Sequence, residues 1–454
     1  MMIEAIVDAK YYLDNRYYEN LPCGWSVSTL SQVTSSQLLN DGDWILSENM
    51  DPNGNVKLIQ LGSIGLMRYI DKGFKYLTED TFHKLSCTQI FPGYMLINRI
   101  ISDKMYACIL PQLEGKLITT VDTCWIAPKD EWYNLKYLMY FTSSTVFQSI
   151  VLHVSSGTTR KRISKSDLIH LPIYLPPLSE QQRIVSRVDE LFEQIDIIEK
   201  NQADIDALYD EFRKRTLTLA IQGKLVPQDP NDEPANVLLE RISAEKKAKL
   251  GKKYVDSYIY KGDDNCYYEK VKDSVKEISA EIPFDVPESW QWIRIDNLFQ
   301  HNTGKALNSS NTKGILHPYI TTSNVYWGHF CLDCVKEMPF TEDEFSKCSI
   351  VPGDLLVCEG GDVGRAAIWE KDIPMCIQNH IHRLRAYYPV CTQFYYFAFF
   401  VYKSIGLIGG KGIGIQGLSS GALGKLIFPL PPLAEQERIV KQVRIILEKL
   451  KDED

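Results

Sequence analysis

The chain has 454 residues, 44% of them hydrophobic and 24% charged, the composition of an ordinary globular protein with room for two or three cores. No run reaches the roughly 18 apolar residues of a membrane span, and the acidic start Met1-Met2-Ile3-Glu4 is unlike a signal peptide, so a cytoplasmic protein is expected. The formal charge of −8 disfavours nucleic acid only until its distribution is read: residues 1–170 hold 16 basic and 17 acidic side chains, 286–428 hold 12 and 12, and 171–285 hold 17 and 23. The acidity sits in the middle, and the flanking regions are free to carry basic faces. Eleven cysteines, an odd number without a framework, suit a reducing compartment. Cys331-Leu332-Asp333-Cys334 has His329 and Cys348 nearby but lacks two further ligands at comparable spacing, so thiols rather than a metal site are expected.

In chain order, Val56–Leu61, Tyr94–Asn98 and Lys116–Thr120 read as strands, and Tyr133–Phe147 as a helix rich in Tyr and Phe. Ser156-Gly157-Thr158-Thr159-Arg160-Lys161-Arg162 then sets three cations and two hydroxyls on a turn. Such a loop contacts phosphates or guanine edges, or is simply a solvated turn.

From Ser179 the apolar positions Ile184, Val188, Leu191, Ile195, Ile198, Ile205, Tyr209, Phe212 and Leu219 alternate by four and three once Gln202 and Thr216 fill two slots. That spacing predicts a coiled-coil seam, the alternative being one amphipathic helix lying on a core. Ser179 and Gln182, after two prolines, form a capping-box pattern, and Gly223 with Pro227 beyond it marks the stop. About 44 residues at roughly 1.5 Å each make a rod on the order of 65 Å, long enough to separate two domains. A short helix is predicted over 235–250, and the polar stretch 251–285, without sustained period, reads as a linker.

Further on, Leu355–Cys358 and Ala366–Trp369 read as strands and Gln393–Ile405 as a helix. Gln378-Asn379-His380-Ile381-His382-Arg383-Leu384-Arg385 alternates like a strand, with Asn379, Arg383 and Arg385 on one face and His380 and His382 on the other; at least one histidine is expected to be a satisfied structural one. Lys305, after Gly304, is a further cation of this region. The glycine-rich run 409–417, bearing Lys411 and Gln416, lets backbone amides approach a phosphate or serves only the chain path. A last helix follows Leu433, with Ile439, Val443, Ile446 and Leu450 at the same spacing as before.

The chain repeats itself. Leu175-Pro176-Pro177-Leu178-Ser179-Glu180-Gln181-Gln182-Arg183-Ile184-Val185 returns as Leu430-Pro431-Pro432-Leu433-Ala434-Glu435-Gln436-Glu437-Arg438-Ile439-Val440, nine of eleven positions identical. Pro22-Cys23-Gly24-Trp25 pairs with Pro287-Glu288-Ser289-Trp290, and Pro92-Gly93 with Pro352-Gly353, at offsets drifting from 265 to 255. Two collinear units are implied, each followed by the same helix start. Catalytic signatures are missing: there is no GxxxxGK[ST] phosphate loop, no Asn-Pro-Pro-aromatic tetrapeptide, no glycine-rich strand-to-helix turn, and no lysine completing a nuclease core around Pro352-Gly353-Asp354 and Glu359.

Two tandem domains with these helix starts, together with Gly223-Lys224-Leu225-Val226-Pro227-Gln228-Asp229-Pro230-Asn231-Asp232-Glu233-Pro234, resemble the specificity subunits of type I restriction-modification systems over essentially the whole chain. The resemblance implies an α/β (α+β) fold: two tandem target recognition domains separated by long helices in an antiparallel coiled coil, with an internal pseudo-two-fold repeat. The expected division is 1–170 and 286–428 for the recognition domains, 171–285 for a central helical spacer and 429–454 for a terminal helix. It further implies a non-catalytic subunit that reads a bipartite site on double-stranded DNA and docks two methyltransferase subunits, with restriction subunits joining them. S-adenosylmethionine, ATP and Mg are then expected in the partners and no cofactor in this chain. The DNA-contacting candidates are Thr158, Thr159, Arg160, Lys161, Arg162, Lys305, Asn379, His380, Arg383, Lys411 and Gln416. The short last helix departs from the family pattern; Glu4–Tyr18 is a candidate to complement it, the alternative being a subunit that assembles with a second copy.

Overall fold

The computed structural model describes residues 21–35, 37–157, 160–307, 313–409 and 418–450, in two compact units divided between Asn201 and Gln202. Thr158, Thr159, Lys411, Gln416 and the segment Glu4–Tyr18 lie outside the described residues. The longer helices are α1 (Leu135–Ser143), α2 (Thr145–Val154), α3 (Leu178–Ile221), α4 (Ala235–Leu250), α5 (Thr392–Ser404) and α6 (Leu433–Lys449).

In the first unit a four-stranded antiparallel sheet runs Leu39–Asp41, Thr123–Ile126, Met95–Asn98, Ala107–Ile109. A second sheet centres Val56–Ile59 between antiparallel Phe74–Leu77 and parallel Lys116–Ile118. Strand alternation decides what each face meets. Met95 and Ile97 pack with Leu138, Phe147 and Ile150 of the helical layer, whereas Leu96 packs with Leu117 and Trp125. Ser26–Thr29 pairs with Pro172–Leu175, so the unit's first strand meets the strand that feeds α3.

The second unit repeats this arrangement strand for strand. Phe299–Thr303, Ile381–Ala386, Leu355–Cys358 and Ala366–Ile368 form the antiparallel sheet, and Ile315–Ile320 stands between antiparallel Lys336–Phe340 and parallel Cys376–Ile377. Gln291–Arg294 pairs with Ile427–Leu430, which feeds α6. Leu355 and Val357 face α5, and Leu356 and Cys358 face the other way. The pseudo-repeat read from short motifs is thus a duplication of topology.

Four local expectations are corrected. The predicted helix Tyr133–Phe147 is two helices, because Ser144 is extended and its hydroxyl caps the next turn at Phe147 N, 3.3 Å away. Helix α3 begins at Leu178, so Ser179 lies inside it and does not cap it. The strand expected from Gln378 begins at Ile381, leaving Asn379 and His380 in a turn. The linker expected over 251–285 is instead an antiparallel meander of Ser257–Lys261, Tyr267–Val271 and Ser274–Glu277. Its apolar face centres on Ile259 and Ile278, packed on Trp292 and Ile427 with Tyr267 beside them, too few positions to show a period. An Arg294 guanidinium forked onto Glu269 and reaching Glu281 secures it. Its turns use Asn265 and Lys272 at φ +67° and +53°, and Lys272 is no turn signal in sequence.

Helix α3 spans 44 residues and ends as expected: Gly223 is left-handed at φ +68°, and Lys224 N donates to Leu219 O at 2.9 Å. Within the second unit α6 runs back along the distal part of α3. Ile439 and Val440 share a core with Leu217, Ala220 and Ile221, Val443 and Leu447 line a groove with Tyr209 and Arg213, and Leu450 lines one with Ile205 and Phe212. The pair is therefore antiparallel. Val440, Val443 and Leu447 face Tyr209, while Ile439 is sunk in the core and the expected Ile446 is not among the groove's residues.

Both repeated motifs place one glutamine in the core. Gln181 Oε1 accepts from Asn134 N at 2.9 Å and its Nε2 donates to Pro176 O at 2.9 Å; Gln436 Oε1 accepts from Cys391 N at 3.0 Å and its Nε2 donates to Pro431 O at 2.9 Å. Gln436→Ala strands a buried donor and a buried acceptor, each costing about 1–3 kcal/mol, and is expected to lower stability by about 2–4 kcal/mol in a denaturant titration. A midpoint shifted by less than that of an exposed control such as Glu437→Ala contradicts this.

Candidate nucleic-acid interface

In the first unit Ile100–Ile101 pairs antiparallel with Lys161–Arg162, and Ile163 N donates to Arg99 O, so two loops are stapled together. Gly157, at φ +113°, closes the basic turn: a Cβ there would stand 2.3 Å from Arg160 O. Arg160 and Lys161 are exposed and no carboxylate among the described residues pairs with them, whereas Arg162 pairs with Asp122 at 2.8 Å. On the neighbouring loop Lys104 is exposed and shares a cavity of about 440 Å³ with exposed Arg68 and Asp103, half-buried Tyr106 and buried Asn98. Arg68 and Lys104 escape a sequence reading, because each stands alone in its loop and only the fold brings them together. Below, Lys165 bonds Asn40 and Asp41, and Arg99 bonds Val121 O, fixing the loop bases.

The second unit presents different chemistry at the equivalent edge. His380 is exposed, with Nδ1 3.5 Å from Glu359 Oε2, and half-buried Asn379 donates its N–H to Lys305 O. Two expected contacts are not presented at all. Lys305 is buried and donates to Pro339 O at 2.7 Å and Glu344 at 2.6 Å; Arg383 is buried and donates to Ser349 O. The alternation placed Arg383 on the Asn379 face, but that face is an interior one covered by Ser349. Arg385 is likewise forked onto buried Asp354 at 2.7 and 2.6 Å.

His382 is the satisfied histidine. Its Nε2 lies 2.6 Å from Leu418 O, which only accepts, so Nε2 carries the proton and Nδ1 accepts from His301 Nε2 at 2.9 Å. Burial, the larger cause for both, lowers the pKa of each ring and so disfavours the charged form. Ser420 Oγ lies 3.4 Å from His301 Nε2, and Asp296 lies 3.8 Å from its Nδ1. Among the described residues no group of three or more His, Cys, Asp or Glu side chains is placed to hold a metal ion. No described helix is long and apolar enough to cross a membrane.

Much of the α3 stripe is open. Leu191, Ile195, Ile198, Ile205 and Phe212 are 43, 47, 65, 53 and 44% exposed, while Ile184, Val188, Tyr209 and Leu219 are half-buried. Every residue from Glu190 to Leu208 is exposed, with Phe192 resting against Tyr140 at 5.9 Å between ring centroids and Ile205 beside Leu450, so this stretch is only lightly covered by the described residues.

With this duplicated architecture in view, the family model "Type I restriction modification DNA specificity domain" matches residues 22–207 and 287–452, once per copy. The chain belongs to the type I restriction-modification DNA specificity family. It is 25% identical over 368 residues to the type I restriction enzyme EcoAI specificity subunit of Escherichia coli, covering 70% of this chain and 60% of that protein. It is 23% identical over 421 residues to the EcoEI specificity subunit of Escherichia coli, covering 78% and 64%. The chain thus spans about 60% of the length of these relatives. A chain from a structure describing assembly and conformational transition of a type I R-M system superposes with a TM-score of 0.60 at 18% identity, covering 95% of this chain and 92% of that one, a likeness of fold.

Burial, and then the neighbouring His382, push the His301 pKa from 6.5 down to about 4. As pH falls the unfolded chain takes up the proton first, so this pair's contribution is intact above about 6.5 and is lost as pH falls toward about 4. Denaturant midpoints at pH 7.5, 5.5 and 4.5 should decline, and His301→Asn should flatten that decline. A variant with the wild-type slope rules the pair out as its source.

Proposed function

We propose that this chain is the non-catalytic, DNA-reading member of a type I restriction-modification complex. The observation that carries the reading is the duplication itself: one α/β unit occurs twice with the same strand order, and each copy launches a helix from the same Leu-Pro-Pro-Leu start. Two like units suit a two-part site on double-stranded DNA. The first carries Arg68, Lys104, Arg160 and Lys161, in no ion pair among the described residues, on adjoining loops suited to phosphates and guanine edges. The second offers His380, Asn379 and Glu359, where a carboxylate accepts from cytosine N4. Thr158, Thr159, Lys411 and Gln416 remain candidates, and Arg162 is a positioning group through Asp122.

The exposed apolar stripe from Leu191 to Phe212 is the proposed dock for two methyltransferase subunits, with restriction subunits joining the assembly in the cytoplasm. S-adenosylmethionine, ATP and Mg belong in those partners; this chain supplies target choice. The purified chain should therefore bind duplex DNA and transfer no methyl group, and adding cognate methyltransferase subunits should produce methylation at a site with an unspecified gap. Methyl transfer by the chain alone overturns the assignment.

Alanine at both Arg160 and Lys161 should weaken DNA binding and lower the slope of log K against log salt by roughly 1 per lost phosphate contact. Target choice stays the same if only phosphates are touched. An unchanged slope returns the loop to solvent. The helices are also the proposed ruler: four residues inserted near Gln202 add roughly 6 Å of rise and should lengthen the tolerated gap by one or two base pairs, read by mapping methylated sites. A complex that still methylates with an unchanged gap removes the helices from that role.

A further inference from the structure

Each unit carries a short hairpin after the middle strand of its second sheet, and the two hairpins are one turn with different tips. In the first unit Ile64 bridges Tyr69, and Met67, at φ +56°, donates its N–H to Ala107 O at 2.8 Å. In the second Val325–Tyr326 pairs with His329–Phe330, and Gly328, at φ +77°, donates its N–H to Ala366 O at 3.2 Å. Matching these contacts sets His329 at the position of Arg68 and Tyr326 at that of Gly65. The neighbouring loops correspond as well: Arg99 N donates to Asp122 O in one copy, and Glu359 N to His380 O in the other. Arg68, a cation of the first candidate interface, therefore has His329 as its counterpart in the second unit.

The second tip is held rigid. Tyr326 and His329 stack with ring centroids 5.2 Å apart and planes inclined by 12°, and the Arg365 guanidinium lies 5.3 Å from the centre of the Tyr326 ring. Arg365 is itself anchored, its Nη2 donating to Thr322 O at 2.6 Å. Between the two rings in sequence, Trp327 packs edge-on against Phe400 at 5.2 Å and ties the hairpin to α5. Tyr326 is nevertheless 43% exposed, and His329 is exposed and paired with no carboxylate among the described residues. Planar groups fixed in advance by stacking lose little freedom when they meet a ligand. The tautomer is fixed too: His329 Nδ1 lies 3.3 Å from Trp327 O, which only accepts, so Nδ1 carries the proton and Nε2 is left as an acceptor.

We infer that the Tyr326–His329 hairpin is a base-reading element of the second unit, with His329 Nε2 accepting from an exocyclic amino group, adenine N6 or cytosine N4, in the major groove. Tyr326 and Arg365 are positioning residues that hold the imidazole in place. A phosphodiester offers no proton, so an acceptor nitrogen at the tip fits a base edge rather than the backbone. Arg68 only donates, so the two units would read through opposite hydrogen-bond roles at one shared position. This role rests on the DNA-reading function proposed above.

The test combines the full-length chain with its cognate methyltransferase subunits and maps methylated sites for the wild type, His329→Ala, Tyr326→Ala and Tyr326→Phe. His329→Ala should relax one base pair in one half of the site and slow methylation of the wild-type site about tenfold, the scale of one lost base contact. The other half should stay as in the wild type, with the slope of log K against log salt unchanged, because no phosphate contact is lost. Tyr326→Ala should relax the same base pair, and Tyr326→Phe should restore wild-type choice, since the ring rather than the hydroxyl orients His329. An unchanged site map for His329→Ala, relaxation in both halves, or a salt slope lower by about 1 with target choice retained each overturns the hairpin's role. A wild-type complex that methylates no site overturns the DNA-reading function itself, and the hairpin's role with it.

Discussion

A buried glutamine at the start of each repeated helix is the contact from which the rest of each unit is oriented. Two consecutive prolines precede the helix, and the second lacks an N–H and holds the first extended. The carbonyl of Pro176 or Pro431 is therefore left without a backbone donor just where the chain is buried. Gln181 and Gln436 supply that donor and use the same amide to accept from the first residue before α1 or α5. A single side chain must give and take at once over that reach, which glutamine does and glutamate or leucine does not. The contact joins the spacer helix to the helical layer under the sheet, so the direction of the helix and the placement of the sheet loops are fixed together. This is a physical reason for the motif to stand intact in both copies while the loops between differ.

The loops differ because nothing of that kind constrains them. At the sheet edge of the first unit, Lys104, Arg160 and Lys161 stand on two stapled loops with no acidic partner among the described residues. At the equivalent edge of the second, the cations Lys305, Arg383 and Arg385 are drawn inward by Glu344, Ser349 O and Asp354. A charged group inside is kept only when paired, so an Arg or Lys on an alternating strand does not reveal whether it serves a ligand or the fold.

Legibility in the sequence follows the same division. The repeat, the 44-residue helix, the Gly223 stop and α4 are set by spacing and by residues with one conformational meaning, and they are found where the sequence places them. The meander at 257–277 is hidden because two isoleucines and Tyr267 seat it, and Arg294 with Glu269 and Glu281, which read as solvated charge, hold it in place. Of the candidate interface, Arg160 and Lys161 were visible as a run. Arg68 and Lys104 were not, because their proximity is made by the fold. Lys305 and Arg383 looked like ligands because sequence shows a charge without showing its depth.

The exposed middle of α3 carries the argument from fold to assembly. A helix of this length draws most of its stability from packing of one face, and here the fully buried apolar positions sit toward its ends, at Val185 in one unit and at Leu217, Ala220 and Ile221 in the other, with Tyr209 and Phe212 only partly covered beside α6. Between them the apolar residues keep strict coiled-coil spacing while facing water, a combination that a free helix has no need of. Covering a half-exposed Leu, Ile or Phe contributes roughly 1 kcal/mol each at about 25 cal/mol per Å², so the stripe from Leu191 to Phe212 offers a partner several kcal/mol of burial without disturbing either unit. The same covering would stiffen the helix along its least supported stretch. In the proposed assembly, docking and spacing depend on one set of side chains, and a subunit bound to the stripe would also set how rigidly the length of α3 is transmitted.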